Sequence, residues 1–321
     1  MPEINSVVTA FIEHKRALGR VYVSEKRELQ LLVRFAEQNS VRLLEQITPA
    51  MLDDFLGSRP RNRPRSFNHL LGTVRGLIDW AMAQQLIESS PLQVKPRRVT
   101  SSRMPFLFDA DQARLLLRAA AGLPDNSRAY GRGPTYRAIF ALCYGLGLRA
   151  GEVCGLRIGD VDLDRSLLVV RGGKFGKSRL VPHGPHVAEL LAGQLERRRH
   201  DRWPVEDDSP LFTFDGKRCI HPGTASQTFH HLMSNLGLSV ADGTSPPCLH
   251  SLRHSFAVGC LLRWYRDGED PAAHLQQLST FLGHVSPEST QVYLTITPGL
   301  LSEANRRFEA YAGPAWMEAA R

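Results

Sequence analysis

From Ser66 to Ile87 the chain reads SFNHLLGTVRGLIDWAMAQQLI, and Phe67, Leu70, Leu71, Val74, Leu77, Ile78 and Ala81 recur every three or four positions. That spacing puts seven apolar side chains on one face of a helix. A helix with so wide a stripe has to bury it against other elements. The preceding residues supply partners of the same kind. VVTAFIEHKRALG carries Val7, Val8, Phe11 and Ile12 on one side, with Gly19 as a stop. SEKRELQLLVRFAEQN offers Ser24 as an N-cap and Leu29, Leu32, Val33 and Ala36 as its stripe. TPAMLDDFLGS has Thr48 at the cap and Pro49 at the first helical position, a strong start signal. The first ninety or so residues therefore predict a small helical bundle.

Charge separates this segment from the rest. The chain of 321 residues carries a formal net charge of +8. Residues 1–105 hold 16 Lys and Arg against 10 Asp and Glu, and the remainder holds 24 against 22. The electrostatic footprint for a polyanion thus falls on the first third. Arg59, Arg61, Arg63 and Arg65 alternate with Pro and Asn just before a helix start, where guanidinium groups and open backbone N–H donors suit phosphate. An ordinary solvated loop has the same composition. Residues 89–105, SSPLQVKPRRVTSSRMP, lack an apolar period and predict a basic linker whose Lys95, Arg97 and Arg98 can track a nucleic-acid backbone.

From residue 106 a second domain is expected. DADQARLLLRAAAG opens on Asp109 as a cap, and TYRAIFALCYGLGLRAGEVCGL is a helix, a glycine-broken corner and a short second helix. SLLVVRGGKFGKSRLVPH is the one clear β signal and predicts a hairpin around GGKFG. HVAELLAGQLERRRH is a helix whose three arginines complement its C-terminal dipole. Further helices are expected over 225–238, 250–266, 271–283, 287–295 and 299–311. The fold class is mainly α with a small β-sheet or hairpin. The expected domains are 1–90, a linker over 91–105, and 106–321. Five scattered cysteines suggest no disulfide framework, with Cys143 and Cys154 as core residues. The N-terminus lacks the order of a secretory signal, and no apolar run reaches membrane-spanning length. A cytoplasmic protein is expected.

Several polar residues sit oddly in this pattern. Arg149 stands in the glycine corner with Glu152 three residues on, sharing a helical face. Lys174 lies in the hairpin turn. LHSLRHSFA places His250, Arg253 and His254 beside the apolar stripe of Leu249, Leu252 and Phe256. Arginine is almost never fully buried without a partner, so the partner of Arg253 is expected outside the protein. His284 follows in FLGHVS and Tyr293 in STQVYLTI. These residue types fit one chemistry. Two arginines bind the oxygens of a phosphodiester and offset charge that grows at phosphorus. A tyrosine hydroxyl attacks it covalently. A histidine moves a proton, and a lysine protonates the leaving oxygen. Each residue alone is more often structural: a helix ion pair, a solvated lysine, a C-cap, a core tyrosine.

GLRAGEVCGL, GGKFGKSRLVP, LHSLRHSFA and LGHVSPESTQVYLTI, in this order across residues 106–311, resemble the tyrosine recombinase family, also called phage integrase-like. The resemblance implies a SAM-like helical core-binding domain and a catalytic domain that together form a C-shaped clamp on DNA. It implies Arg149, Lys174, His250, Arg253 and His284 as the activating pocket, Tyr293 as nucleophile and Glu152 as the supporting acid. Lys177 stays an alternative to Lys174, and His254 is expected to be a structural neighbour. It further implies site-specific recombination of double-stranded DNA through a 3′-phosphotyrosine and a Holliday junction. The active form would be a homo-tetramer, or a hetero-tetramer with a related recombinase, acting at the bacterial nucleoid and needing no metal, cofactor or membrane. The last helix, GLLSEANRRFEAY, would dock on a neighbouring protomer. Integration or transposition of a mobile element is the expected role, and Xer-like dimer resolution is the alternative. A non-catalytic DNA-binding protein, a type IB topoisomerase and a metalloenzyme built on CIH (219–221) and CLH (248–250) are the rivals. The last lacks the usual zinc-ligand spacing.

Overall fold

In the computed structural model, residues 2–58, 61–99, 103–172, 178–283, 293, 302–303 and 305–306 are described. The chain divides into two compact units, Met1–Ser102 and Arg103–Arg321.

The first unit is a bundle of α1 (Ile4–Ala17), α2 (Val23–Gln38), α3 (Pro49–Gly57) and α4 (Pro64–Ala83). α4 carries the widest apolar face and packs on the other three. Phe11, Leu29, Leu32, Leu52, Leu71, Leu77 and Ile78 fill the centre. Thr48 caps α3, its hydroxyl accepting the Met51 N–H at 3.2 Å. Ser24 does not cap α2, contrary to the sequence expectation. The helix starts two residues earlier, after Tyr22 in the left-handed region (φ 51°), and Ser24 donates to Glu25 instead. Tyr22 packs edge-on against Phe11 at 5.7 Å, so tertiary packing sets this helix start.

A buried carboxylate ties the bundle together. Glu28 on α2 accepts from Thr73 at 2.8 Å and Arg61 at 3.1 Å, and lies 3.6 Å from His69. Arg61 is therefore paired with Glu28, with its side chain still 23% exposed. Residues 92–97 are docked onto α4 instead of running free. Leu92 and Val94 pack on the bundle core, and Arg75 donates to the Val94 carbonyl at 3.0 Å. The Asn68 amide pairs with both backbone groups of Arg97 at 2.8 Å, and the Arg97 guanidinium lies 3.8 Å over the Phe67 ring. Local polarity hides this docking, because side chains of α4 supply the partners.

The second unit contains α5 (Ala110–Ala121), α6 (Arg132–Gly145), α7 (Ala150–Cys154), β1 (Val161–Asp162), β2 (Leu167–Val170), β3 (Arg179–Pro182), α8 (Pro185–His200), α9 (Pro222–Leu236), α10 (Leu249–Arg266) and α11 (Pro271–Leu282). α6 is buried on most sides and packs on α5, α7, α8 and α10. Asp109 and Gln112 close a capping box on α5. The hairpin gains a third strand, giving an antiparallel sheet in the order β1-β2-β3, with Val170 opposite Arg179. Two residues of β1 are too few for alternation to be seen in sequence. The turn holding Lys174 and Lys177 lies outside the described residues, as do most of the helices expected over 287–295 and 299–311. Arg197, Arg198 and Arg199 stand in the last turn of α8 as expected, and Arg198 is also buried, donating to the Pro204 carbonyl. Cys143 and Cys154 are buried core thiols. Among the described residues no helix is long and apolar enough to cross a membrane.

Gly133 marks the tightest helix contact. A Cβ there would stand 2.2 Å from the Ala121 carbonyl oxygen at the end of α5. Gly133→Ala must push α6 away from α5, and is expected to destabilise the second unit by about 1–3 kcal/mol in denaturant unfolding. An unchanged midpoint would show that the contact relaxes freely.

Candidate active site

The site is built on the C-terminal end of α11. The last carbonyls of a helix have no partner within it, and the helix dipole makes that end negative. Here three guanidinium groups meet them. Arg179 Nε donates to the Phe281 carbonyl at 2.8 Å, Arg253 Nη2 to Leu282 at 2.8 Å, and Arg149 Nη2 to Gly283 at 3.0 Å. Gly283 turns the chain at φ +67°, and a Cβ there would stand 2.7 Å from Arg179 Nη1. His284 is the next residue in the chain and lies outside the described residues.

Arg253 is 1% exposed. Its partners are inside the protein after all: besides Leu282, it donates to the Gly147 carbonyl at 2.7 Å. Its Nε has no partner among the described residues. Gly147 has φ +61°, and a Cβ there would stand 2.5 Å from Phe256 and 2.8 Å from Leu282. The glycine corner is thus clamped between α10 and α11, with its carbonyl aimed at Arg253. Loss of hydration, then repulsion from Arg149, lowers the Arg253 pKa to about 10, so it keeps its charge at neutral pH.

Arg149 is the N-cap residue of α7, and Glu152 sits at the third helical position. Glu152 accepts from the Arg149 backbone at 3.0 Å and its guanidinium at 2.7 Å. Arg179 meets both carboxylate oxygens at 2.9 Å. The Glu152 side chain is only 6% exposed, and burial alone would raise its pKa. The hydrogen bonds from Arg179 and Arg149 outweigh burial and hold it at about 2. Three arginines and one carboxylate leave an excess of positive charge, and the Arg149 side chain remains 27% exposed. His250 opens the first turn of α10 with solvent on one side and protein mass on the other. Loss of hydration, then Arg253 and Arg149, push its pKa down to about 4, so the ring is neutral at neutral pH.

Tyr293 is 4% exposed and lies in a cluster with Val258, Leu261, Leu275, Leu278 and Leu282. Its hydroxyl is 2.9 Å from His254 Nδ1. Burial raises its pKa, while Arg253 and Arg149 pull the other way. Arg149, Glu152, His250, Arg253 and Tyr293 are thus brought together from the corner, α7, α10 and the chain beyond α11. The arrangement can hold an anion against two guanidiniums with a phenol at hand. Lys174 and His284 lie outside the described residues. Arg63, Arg65, Lys95, Arg97 and Arg98 are exposed on the first unit, and Arg59 lies outside the described residues. Among the described residues the two Cys-x-His pairs form no cluster that could hold a metal. His221 Nδ1 caps α9 by accepting the Gly223 N–H at 3.0 Å, and Cys248 precedes α10 beside Ser251.

The family model described as the phage integrase family matches residues 108–298. This chain belongs to the phage integrase family. It is a tyrosine recombinase, an enzyme of site-specific recombination. The inferred integrase/recombinase y4rB of Sinorhizobium fredii is 35% identical over 314 residues, spanning 96% of this chain and 98% of that one. Tyrosine recombinase XerA of Pyrococcus horikoshii is 30% identical over 218 residues, spanning 68% and 66%. In structure, a lambda integrase dimer bound to a COC′ core site is similar with a TM-score of 0.63 at 18% identity, covering 91% of this chain and 77% of that one. The Tn1549 transposon integrase in complex with transposon right end DNA gives 0.63 at 17%, covering 95% and 99%. These likenesses establish the fold of the recombinase.

Two site residues escaped the sequence reading. Arg179 lay inside the quoted motif KSRLVP, but nothing in strand periodicity separates a buried arginine from a solvated one. His254 was set aside as a neighbour, because its contact with Tyr293 spans 39 positions.

Glu152 has a folded pKa of about 2 against an ordinary value of 4.5, so its contribution is present above pH 4.5 and lost as pH falls toward 2. The size is about 3 kcal/mol. Wild-type unfolding free energy is expected to fall over that window, with Glu152→Gln already lowered at pH 7 and flatter through it. Parallel acid limbs for the two proteins would remove this role.

Proposed function

We propose that the chain cuts and rejoins double-stranded DNA at specific sites, for integration or transposition of a mobile element, with Tyr293 as the nucleophile. The observation that carries this reading is the convergence of Arg149, Arg253, His250 and the Tyr293 hydroxyl around the end of α11. A scissile phosphate would lie against Arg149 and Arg253, whose charge offsets that growing on the phosphorus oxygens. The Tyr293 oxygen forms a bond to phosphorus, the bond to the 5′ oxygen breaks, and a 3′-phosphotyrosine results. Tyr293 gives up its proton to water, and the 5′ oxygen takes one from Lys174, with Lys177 as the alternative donor. His250 is neutral and can donate to a phosphate oxygen through a ring N–H. His284 completes the pocket in this reading. Attack by a 5′-hydroxyl from another duplex reverses the step and joins the new strand.

Glu152 and Arg179 act as positioning residues, holding Arg149 and the end of α11 in place. In the first unit, Arg63, Arg65, Lys95 and Arg98 are exposed cations for backbone phosphates, so affinity should fall steeply with salt. Arg59 is assigned the same role. Arg97 is an exposed cation held over Phe67, and Arg61 is paired with Glu28 and partly exposed, so both are assigned to the same surface. Residues 1–90 are assigned as the core-binding part and 106–321 as the catalytic part, with the active form a homo-tetramer on two duplexes. A hetero-tetramer with a related recombinase is the variant form, and the bacterial nucleoid is the place of action. Similarity over nearly the full length of an integrase/recombinase favours integration. The Xer relatives support dimer resolution as a second reading.

The test is covalent trapping on nicked duplexes carrying the ends of the DNA element that encodes the chain. The expected result is a protein–DNA adduct that resists denaturation and is absent for Tyr293→Phe. Arg253→Lys cannot bridge the carbonyls of Gly147 and Leu282 with a planar fork, and is expected to lose adduct by about a hundredfold or more. An adduct surviving in Tyr293→Phe would assign the nucleophile elsewhere. Salt-sensitive binding with no adduct on any of these duplexes would favour a non-catalytic binder.

A further inference from the structure

α10 presents His250, Arg253 and His254 within five residues, and the reaction above uses the first two. His254 has its own place in the geometry. Its Nδ1 stands 2.9 Å from the Tyr293 hydroxyl, with the rings 5.5 Å apart and inclined at 61°. On its other side the His250 ring meets it edge to face at 4.6 Å. The helix that carries it is pinned at neighbouring positions. Arg253 is bonded to two carbonyls, and the Ser255 hydroxyl donates to Ser251 at 2.8 Å while accepting the Phe108 N–H at 2.7 Å. The Tyr293 ring is anchored in turn by Val258, Leu261, Leu275 and Leu278. Both ends of the contact are therefore held by packing, the Tyr293 ring in a cluster shared by α10 and α11.

The chemistry gives this bond a direction. A phenol keeps one freedom once its ring is fixed, the rotation of its O–H. If imidazole Nδ1 accepts that proton, the oxygen lone pairs are left free to face phosphorus. If Nδ1 donates, one lone pair is consumed. Among the described residues, Arg253 and Arg149 act on Tyr293 and His250, and Arg179 and Glu152 are further charged groups of the site. An imidazole with its proton on Nε2 leaves Nδ1 open to accept at this 2.9 Å contact.

We propose that His254 is a positioning residue for the nucleophile, its Nδ1 accepting the Tyr293 O–H and fixing where the attacking oxygen sits and where its lone pairs point. This rests on the reading of Tyr293 as nucleophile. Misplacement of a reacting atom by an ångström can cost about a hundredfold in rate. The bond therefore sets the rate of cleavage and leaves DNA affinity alone.

The test uses the full chain and the same nicked duplexes, with His254→Leu, His254→Asn and Tyr293→Phe. Asparagine places an amide oxygen near the position of Nδ1, so it restores an acceptor, whereas leucine does not. His254→Leu is expected to bind the duplex with wild-type affinity and salt dependence, and to form adduct about tenfold or more slowly in a single turnover. His254→Asn is expected to recover to within about threefold of wild type. Wild-type cleavage by the leucine variant, or an asparagine variant as slow as leucine, overturns the proposal. Adduct formation by Tyr293→Phe sinks the nucleophile reading instead, whatever the His254 variants do. A DNA-free measurement covers the case where leucine disturbs folding. Imidazole ¹⁵N spectra of the wild-type protein should show His254 as the Nε2–H form with Nδ1 as acceptor, and Tyr293→Phe should shift that Nδ1 signal. An Nδ1–H tautomer, or a signal indifferent to Tyr293→Phe, overturns the proposal without any change at position 254.

Discussion

Three guanidinium groups on three consecutive carbonyls at the end of α11 are the contact on which the rest of the site depends. The carbonyls are unsatisfied acceptors at the negative end of a helix dipole, so they hold cations without cancelling their charge. That distinction matters for an anion site. Had each arginine been matched with a carboxylate, the pocket would be neutral. One carboxylate, Glu152, is shared between Arg149 and Arg179, and the surplus positive charge remains. The same contact brings together a glycine corner, a strand and two helices that are far apart in the chain.

The cost of this arrangement is visible in the glycines. Gly147 and Gly283 both have positive φ, and at both a Cβ would run into the site itself, into Phe256 and Leu282 in one case and Arg179 in the other. Burying Arg253 almost completely is tolerable because two carbonyls meet its fork and its charge lies near Glu152. His250 feels the same field with the opposite consequence. It stays neutral well below neutral pH and can donate to a phosphate oxygen while keeping a free lone pair on the other ring nitrogen.

Much of the fold was legible because it follows from local rules. The stripes of α1, α2 and α4 are periodic, Thr48 and Asp109 are caps, and Pro49 sits at a first helical position. The errors occurred where tertiary partners overrode those rules. Ser24 lost its capping role to the packing of Tyr22 on Phe11, and residues 92–97 were tied down by Asn68 and Arg75; Arg61 meanwhile pairs with Glu28. Charge in a sequence says that a partner is needed and leaves open whether it is solvent, phosphate or a carboxylate 33 residues away.

The helical class and the small hairpin follow from neighbours along the chain, because periodicity, caps and turn residues are local properties, while Arg149, Glu152, His250, Arg253 and Tyr293 stood out as candidates through ordered motifs that resemble a family. It took the folded chain to show that Arg253 is paired within the protein, that Arg179 shares Glu152, and that His254 touches Tyr293. Those facts depend on hydrogen bonds that close loops of 27 to 106 residues, and the direction in which a polar side chain turns is set by whichever partner the packed helices bring within 3 Å.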